Sequence, residues 1–332
     1  MNRRSVVVAS ATAAFGSAAG VAYVLQRRAS RGWRGTDETA MAGFAEPTDL
    51  VHHHIAVSDG GSIHAVERGQ GQAIVLVHGV TLGVGIWVHQ LRTLSVEHRV
   101  IAIDQRGHGS SVAGEDGYSF ERMAADILEV LEALEVTGAV LVGHSMGGMV
   151  AQTLAVNHPV LLRAHVGGLV LLATAAGPLL PSPLGRMLAQ GVLGGAGRGL
   201  RLSDRRGLGL IPQQDLATWL TRSNFGARPD PAAVEYARRM ITGMSPAAMA
   251  GLLTPLFSYD LHDELSTIDL PTRVVVGDHD LLTPLRMAAV LAEGIPGAEL
   301  TVIEGCGHLL MLEEPAALDL VLAGMAGEVR GL

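Results

Sequence analysis

Gly143-His144-Ser145-Met146-Gly147-Gly148 follows directly on the apolar run Ala139-Val140-Leu141-Val142, and Met149, Val150, Leu154 and Ala155 come after it. The run predicts a strand, the spaced apolar residues predict a helix, and the glycines between them predict a sharp turn. G-x-S-x-G in a strand–turn–helix context sets a serine on a strained bend at the carboxyl end of the strand. Gly143 and Gly147 leave room for the adjoining strand and helix. The helix N-terminus behind Ser145 favours negative charge in front of it. The same stretch does not read G-x-G-x-x-G, because Ser145 fills the third position, so a dinucleotide fingerprint fails.

Outward from this turn, short apolar runs alternate with helical patterns. Strands are expected at Val51–Val57, Ser62–Glu67, Ala73–Val77, Val100–Ile103, Val140–Val142, Gly168–Ala173, Arg273–Val276 and Leu300–Ile303. Asp59-Gly60-Gly61 joins the first two as a hairpin. Phe120–Leu134 is helical by its spacing of Met123, Ile127, Val130, Leu131 and Leu134. Repeated βα units imply an α/β fold with a mostly parallel, doubly wound sheet. One stretch, about 177–260, holds no strand pattern but has helical candidates at Leu184–Gln190, Asp215–Arg222, Pro231–Thr242 and Pro246–Leu256. It is expected to be a helical lid inserted after the sixth strand. Gly191–Gly199 within it is glycine-rich, which suits a segment that moves.

A serine hydroxyl needs a base to act as a nucleophile. His308, in Gly305-Cys306-Gly307-His308 after the last strand, is the candidate. The base in turn needs a carboxylate to orient it. Asp280 follows the strand Arg273–Val276 and is the candidate, with Asp278 as its rival. Asp126, on the helix before the nucleophile strand, is expected to be solvated. His144 is expected to pack or bond locally, and Cys306 to be a small packed residue. His52-His53-His54 invites a metal reading, but adjacent strand residues face opposite ways, so three consecutive histidines cannot converge on one ion.

Ser145, Asp280 and His308 occur in the chain order of α/β-hydrolases. His78-Gly79 after the third strand and Asp104-Gln105-Arg106-Gly107-His108-Gly109-Ser110 after the fourth add to the match. Over roughly residues 50–330 the chain resembles the α/β-hydrolase superfamily, in its lipase/esterase and non-haem peroxidase-like branch. The resemblance implies an eight-stranded α/β-hydrolase fold. It also implies an oxyanion hole made by the backbone N–H groups of Val80 and Met146, and a structural role for the Asp104–Ser110 loop at the site rim. Dehalogenases and epoxide hydrolases of that superfamily carry Asp where this chain has Ser145.

Composition bounds the remaining readings. Hydrophobic residues make up 48% and charged residues 17%, which excludes a disordered chain. A net charge of −8 argues against a nucleic-acid partner. The single cysteine excludes an intrachain disulfide, and no metal, nucleotide or flavin site is implied. All 24 basic residues are arginine. Six of them lie in the first 36 residues, which contain no acid and surround the uncharged stretch Val6–Leu25. About 30 Å of helix fits those twenty residues. The expectation is a transmembrane or signal-anchor segment over 1–31, a linker over 32–50, and an α/β-hydrolase domain over 51–332. A cleaved export signal and a peripheral helix are the alternatives. The four arginines after the span favour a cytoplasmic catalytic domain.

The function expected is two-step hydrolysis of a lipophilic carboxylic ester through an acyl-enzyme, since the lid is apolar between its arginines (Trp219, Met240, Met244, Met249, Phe257). Other serine-triad chemistry (C–C bond, thioester or amide hydrolysis, or cofactor-free perhydrolysis) and a catalytically silent ligand-binding scaffold are the alternatives.

Overall fold

The computed structural model describes residues 38–179, 195–207 and 214–331. The span expected at residues 6–25 and the lid helix expected at Leu184–Gln190 lie outside these. Eight strands form one sheet: β1 (Val51–Ala56), β2 (Ser62–Arg68), β3 (Ala73–Val77), β4 (Arg99–Ile103), β5 (Ala139–His144), β6 (Val166–Leu172), β7 (Thr272–Gly277) and β8 (Glu299–Ile303). Their spatial order is β1-β2-β4-β3-β5-β6-β7-β8. β2 runs antiparallel to both of its neighbours, and every other pair is parallel.

The apolar runs are continuous because both faces of the sheet are covered. β3 and β5 are buried at every position. Val75, Val77 and Leu141 point into one core, packed on helices α1 (Phe120–Ala133) and α2 (Met146–Asn157). Ile74, Leu76, Val140 and Val142 point into the other, with Trp87, Leu91 and the carboxyl-terminal helix Pro315–Arg330. This is the period-two alternation of a pleated strand read against two layers. The chain leaves β3 for β4 on one side and returns to β5 on the other. Such a switch leaves a crevice at the carboxyl ends of the two strands, where open α/β sheets hold their ligands.

Between β6 and β7 the chain forms the lid. A helix covers 195–205, followed by α3 (Gln214–Arg222), α4 (Pro231–Gly243) and α5 (Pro246–Ser258). The part of the glycine-rich stretch that is described, 195–199, is helical. Asp230 and Ser245 cap α4 and α5 by accepting N–H bonds from their first turns, each with a proline at the first helical position. Among the described residues no single helix is long and apolar enough to cross a membrane; α4 and α5 pass on composition only as a pair bent by 94°.

Two expectations change. The 32–50 stretch is not all linker: Glu38–Met41 is helical and Ala42–Phe44 a 3-10 turn, and buried Phe44 stacks on Tyr236 of the lid at 4.8 Å. Asp126 is not solvated. It is buried and forks onto the guanidinium of Arg106, accepting from Nε at 2.6 Å and Nη2 at 2.7 Å. Arg106, itself fully buried, also donates to Asp59 at 2.9 Å and to the Gly117 carbonyl at 2.6 Å. A buried guanidinium needs such partners, because its desolvation is offset by paired carboxylates and hydrogen bonds, here four of them. The network ties the β1–β2 hairpin, the loop after β4 and α1 together, below the site.

Candidate active site

The bend after β5 holds Ser145 at φ 53° and ψ −118°, a conformation that L residues rarely adopt. Glycine is required around it. A Cβ on Gly143 would stand 2.5 Å from the Gly147 carbonyl oxygen, and one on Gly147 2.4 Å from that of Val77. Ser145 is locked by its own N–H donating to Leu172 at 2.9 Å and by its carbonyl accepting from Thr174 Oγ1 at 2.7 Å. Met146 opens helix α2, where first-turn N–H groups have no partner within the helix.

The loop after β3 passes close by. A Cβ on Gly79 would be 2.9 Å from Ser145 Cβ. Fully buried His78 fixes this loop. Its Nε2 accepts from the Gln105 N–H at 3.0 Å, so its Nδ1 carries the proton and donates to the Gly79 carbonyl at 2.7 Å. The Gly79 oxygen and the Val80 N–H belong to one peptide unit, and a trans peptide points them in opposite directions. Pinning the oxygen therefore aims the Val80 N–H away from His78. The next residue, Thr81, has φ 65°, and its N–H donates to Nε2 of buried His108 at 3.3 Å. Burial lowers the pKa of His78 and of His108, the latter to about 3, so both rings are neutral at pH 7.

On the other side, His308 Nδ1 and Asp280 Oδ2 are 2.8 Å apart, and both residues are nearly buried. Asp280 Oδ1 accepts from the N–H groups of Leu282 at 2.8 Å and Thr283 at 3.0 Å, and Oδ2 also accepts from Thr283 Oγ1 at 2.8 Å. Burial pushes the Asp280 carboxyl up, but His308 and these donors outweigh it and hold the pKa at about 2. The carboxylate therefore only accepts. That fixes the proton of a neutral His308 on Nδ1 and leaves Nε2 with a free lone pair. His308 meets the nucleophile turn through His144, whose Nε2 donates to the His308 carbonyl at 2.9 Å and whose ring lies 4.8 Å from that of His308.

Asp278 points elsewhere, accepting from His279 Nδ1 at 2.8 Å and the Gly305 N–H at 2.7 Å. Cys306 is buried, and burial followed by the nearby Glu313 raises its thiol pKa to about 12, as an inert packed thiol should show. The side chains of His78, His108 and Thr283 were not read as site elements from the sequence. Thr283 had a local signal, an Asp-x-x-Thr spacing after a strand; the two histidines stood within the matched motifs His78-Gly79 and Asp104–Ser110, but their bonds across loops had no signal in the sequence.

A family model described as alpha/beta hydrolase fold matches residues 72–315. The chain belongs to the alpha/beta hydrolase fold family. Within this family it is similar to an esterase from Exiguobacterium antarcticum, with a TM-score of 0.72, 25% identity, and coverage of 83% of this chain and 100% of the other. It is 31% identical over 258 residues to a putative non-heme chloroperoxidase of Synechocystis, covering 75% of this chain and 88% of that one. It is 29% identical over 273 residues to a putative carbamate hydrolase, RutD, of a Caulobacter strain, covering 80% and 95%. These alpha/beta hydrolases include names for ester, carbamate and halide chemistry, so family membership does not select a substrate.

Two cavities open beside this hydrolase site. One of about 600 Å³ starts at Thr81 and Leu82 and runs under Met240, Met244 and Ala248 of the lid. Another of about 440 Å³ lies beyond β6, lined by Ala175, Ala176, Pro178, Met287 and Val290, with Arg286 as its cation.

Proposed function

We propose that the chain is a serine hydrolase that cleaves a lipophilic carboxylic ester. The observation that carries this reading is the buried, carboxylate-oriented His308, packed on His144 next to the strained Ser145. Ser145 Oγ attacks the ester carbonyl as His308 Nε2 takes its proton. The oxyanion is held by the N–H groups of Val80 and Met146. His308 then protonates the leaving alkoxide, and water cleaves the acyl-enzyme with the same roles reversed. The 600 Å³ cavity beside the oxyanion loop, with Leu82, Met240, Met244 and Ala248 on its apolar side, is suited to one arm of the ester. The esterase neighbour supports the same reaction class.

A rate series over p-nitrophenyl esters tests the substrate. kcat/KM rises from acetate to medium-chain acyl groups, each buried methylene adding up to about 0.8 kcal/mol until the cavity is filled. A strict preference for acetate overturns the lipophilic assignment, and no labelling of the folded protein by a fluorophosphonate probe overturns the serine hydrolase itself. Peracid chemistry uses the same acyl-enzyme, with hydrogen peroxide in place of water, and the chloroperoxidase relative makes it the second reading.

His78 is a positioning residue under this proposal. His78→Gln removes the ring that pins the Gly79 carbonyl. The expected result is a fall in kcat of about 10–100 fold with KM nearly unchanged, since a misaimed oxyanion donor acts mainly in the transition state. A matching rise in KM with kcat intact would assign His78 to substrate binding instead.

A further inference from the structure

The histidine run on β1 behaves as strand geometry requires. His53 turns to one face, where its Nε2 lies 3.1 Å from Glu67 Oε2. His52 and His54 turn to the other. Cross-strand register pairs His54 with His64 of β2, which brings a third imidazole to that face. The His64 ring lies 5.3 Å from that of His52 and 5.0 Å from that of His54. His52 Nδ1 and His64 Nε2 are 3.0 Å apart. Behind them, buried His64 sets its Nδ1 2.8 Å from Oδ2 of buried Asp104. All three histidines and Asp104 line a cavity of about 640 Å³, together with Glu46. This cavity adjoins the one that starts at Thr81, sharing Gly83, Gly109 and Met240 with it, and its lining includes none of Ser145, Asp280 or His308.

We propose that His52, His54 and His64 bind a divalent transition-metal ion of the zinc type. A His-x-His pair on one strand, with a third histidine on the next, puts three imidazoles on one face of the hairpin, the ligand set that suits zinc once His54 turns inward. Asp104 supplies what such ligands need: by accepting from His64 Nδ1 it leaves Nε2 as the lone-pair nitrogen and fixes the ring. Two nitrogens bound to one tetrahedral zinc stand about 3.3 Å apart, given zinc–nitrogen bonds of about 2.0–2.1 Å. The 3.0 Å His52–His64 spacing is close to this. In the metal-free arrangement the His52 Nδ1 proton fills the gap, and no trio of described His, Cys, Asp or Glu residues is closed around a common point. Binding moves that proton through solvent to the Nε2 of the exposed His52 and swings in exposed His54, with no net proton release. Water or Glu46 completes the tetrahedron. Arg239, the cation in the same cavity, is engaged by Glu235 at 3.0 Å, while Asp104 and Glu46 bring negative charge.

Calorimetric titration of the chelator-treated full-length chain with zinc chloride tests this, with thermal unfolding recorded in parallel. Saturable binding is expected, with a rise in Tm, because the folded sheet holds the ligands together. His52→Ala and His54→Ala each weaken binding by about tenfold or more, while His53→Ala leaves it unchanged. His64→Gln gives the same loss where it folds, and the two exposed positions decide the matter where it does not. Absence of saturable binding overturns the site. So does equal weakening by His53→Ala, the signature of a histidine tract chelating without strand geometry, or unchanged affinity in His52→Ala and His54→Ala.

Discussion

Ser145→Ala lowers kcat toward p-nitrophenyl esters by at least about 10⁴-fold, with the fold and Tm preserved. The size follows from the unit the serine belongs to. Once the nucleophile is gone, His308 and the oxyanion donors can only assist direct attack by water, which leaves a small residual rate. The fold survives because the turn is locked through backbone atoms, the Ser145 N–H on Leu172 and its carbonyl on Thr174, and not through Oγ. Ser145→Gly separates the two properties. It is equally inactive, yet it relaxes a φ of 53° that only glycine adopts freely. Releasing about 1–3 kcal/mol of strain, less up to about 1 kcal/mol for the looser unfolded chain, leaves a net gain of about 1 kcal/mol by denaturant midpoint. Retention of more than a few percent of activity by Ser145→Ala would remove Ser145 from the chemistry.

Asp280→Asn is the second large effect, about 10³–10⁴-fold in kcat at neutral pH, by way of a proton in the wrong place. The Leu282 and Thr283 N–H groups donate to Oδ1, so an amide at this position keeps its carbonyl oxygen there. Its NH₂ then occupies the Oδ2 position, 2.8 Å from His308 Nδ1 in the native structure. Two donors cannot face each other, so His308 moves its proton to Nε2 and loses the lone pair needed as base. KM stays near the native value. Stability changes with a definite sign. The native carboxyl is lowered from 3.8 to about 2, so its contribution, on the order of 2 kcal/mol, is complete above about pH 4 and is lost as pH falls toward 2. Asp280→Asn lacks that acid slope. An intact kcat in this variant would assign the orienting role elsewhere, with Asp278 the residue to test next.

The nucleophile turn was legible because strand, bend and helix are consecutive and each has its own local pattern. The central parallel strands were legible because a strand covered on both faces writes itself as an unbroken apolar run, and the antiparallel β1 and β2 because Asp59-Gly60-Gly61 marks the hairpin between them. Asp126 was misread by weighing its charge above its position. It lies three residues after Met123 and four before Val130, within the buried stripe of α1, and its partner Arg106 is twenty residues upstream. His78 and His108 work through backbone atoms of another loop, and His64 joins His52 and His54 only through strand register. Contacts of that kind exist only after the sheet is assembled.

The lid is not an independent flap on the side of the base. The His308 N–H donates to the Asn224 carbonyl at 2.6 Å, and a Cβ on Gly226 would lie 1.9 Å from the Gly305 oxygen. Glu313 accepts from both the Gly226 N–H at 2.6 Å and the Gly307 N–H at 2.9 Å, clamping the two loops to one carboxylate. For anyone grafting a different lid onto this scaffold, the cut has a natural place. Residues 224–226 belong to the recipient with Glu313 and the histidine loop, and a transplant that brings its own sequence there would disturb the general base before it altered the substrate.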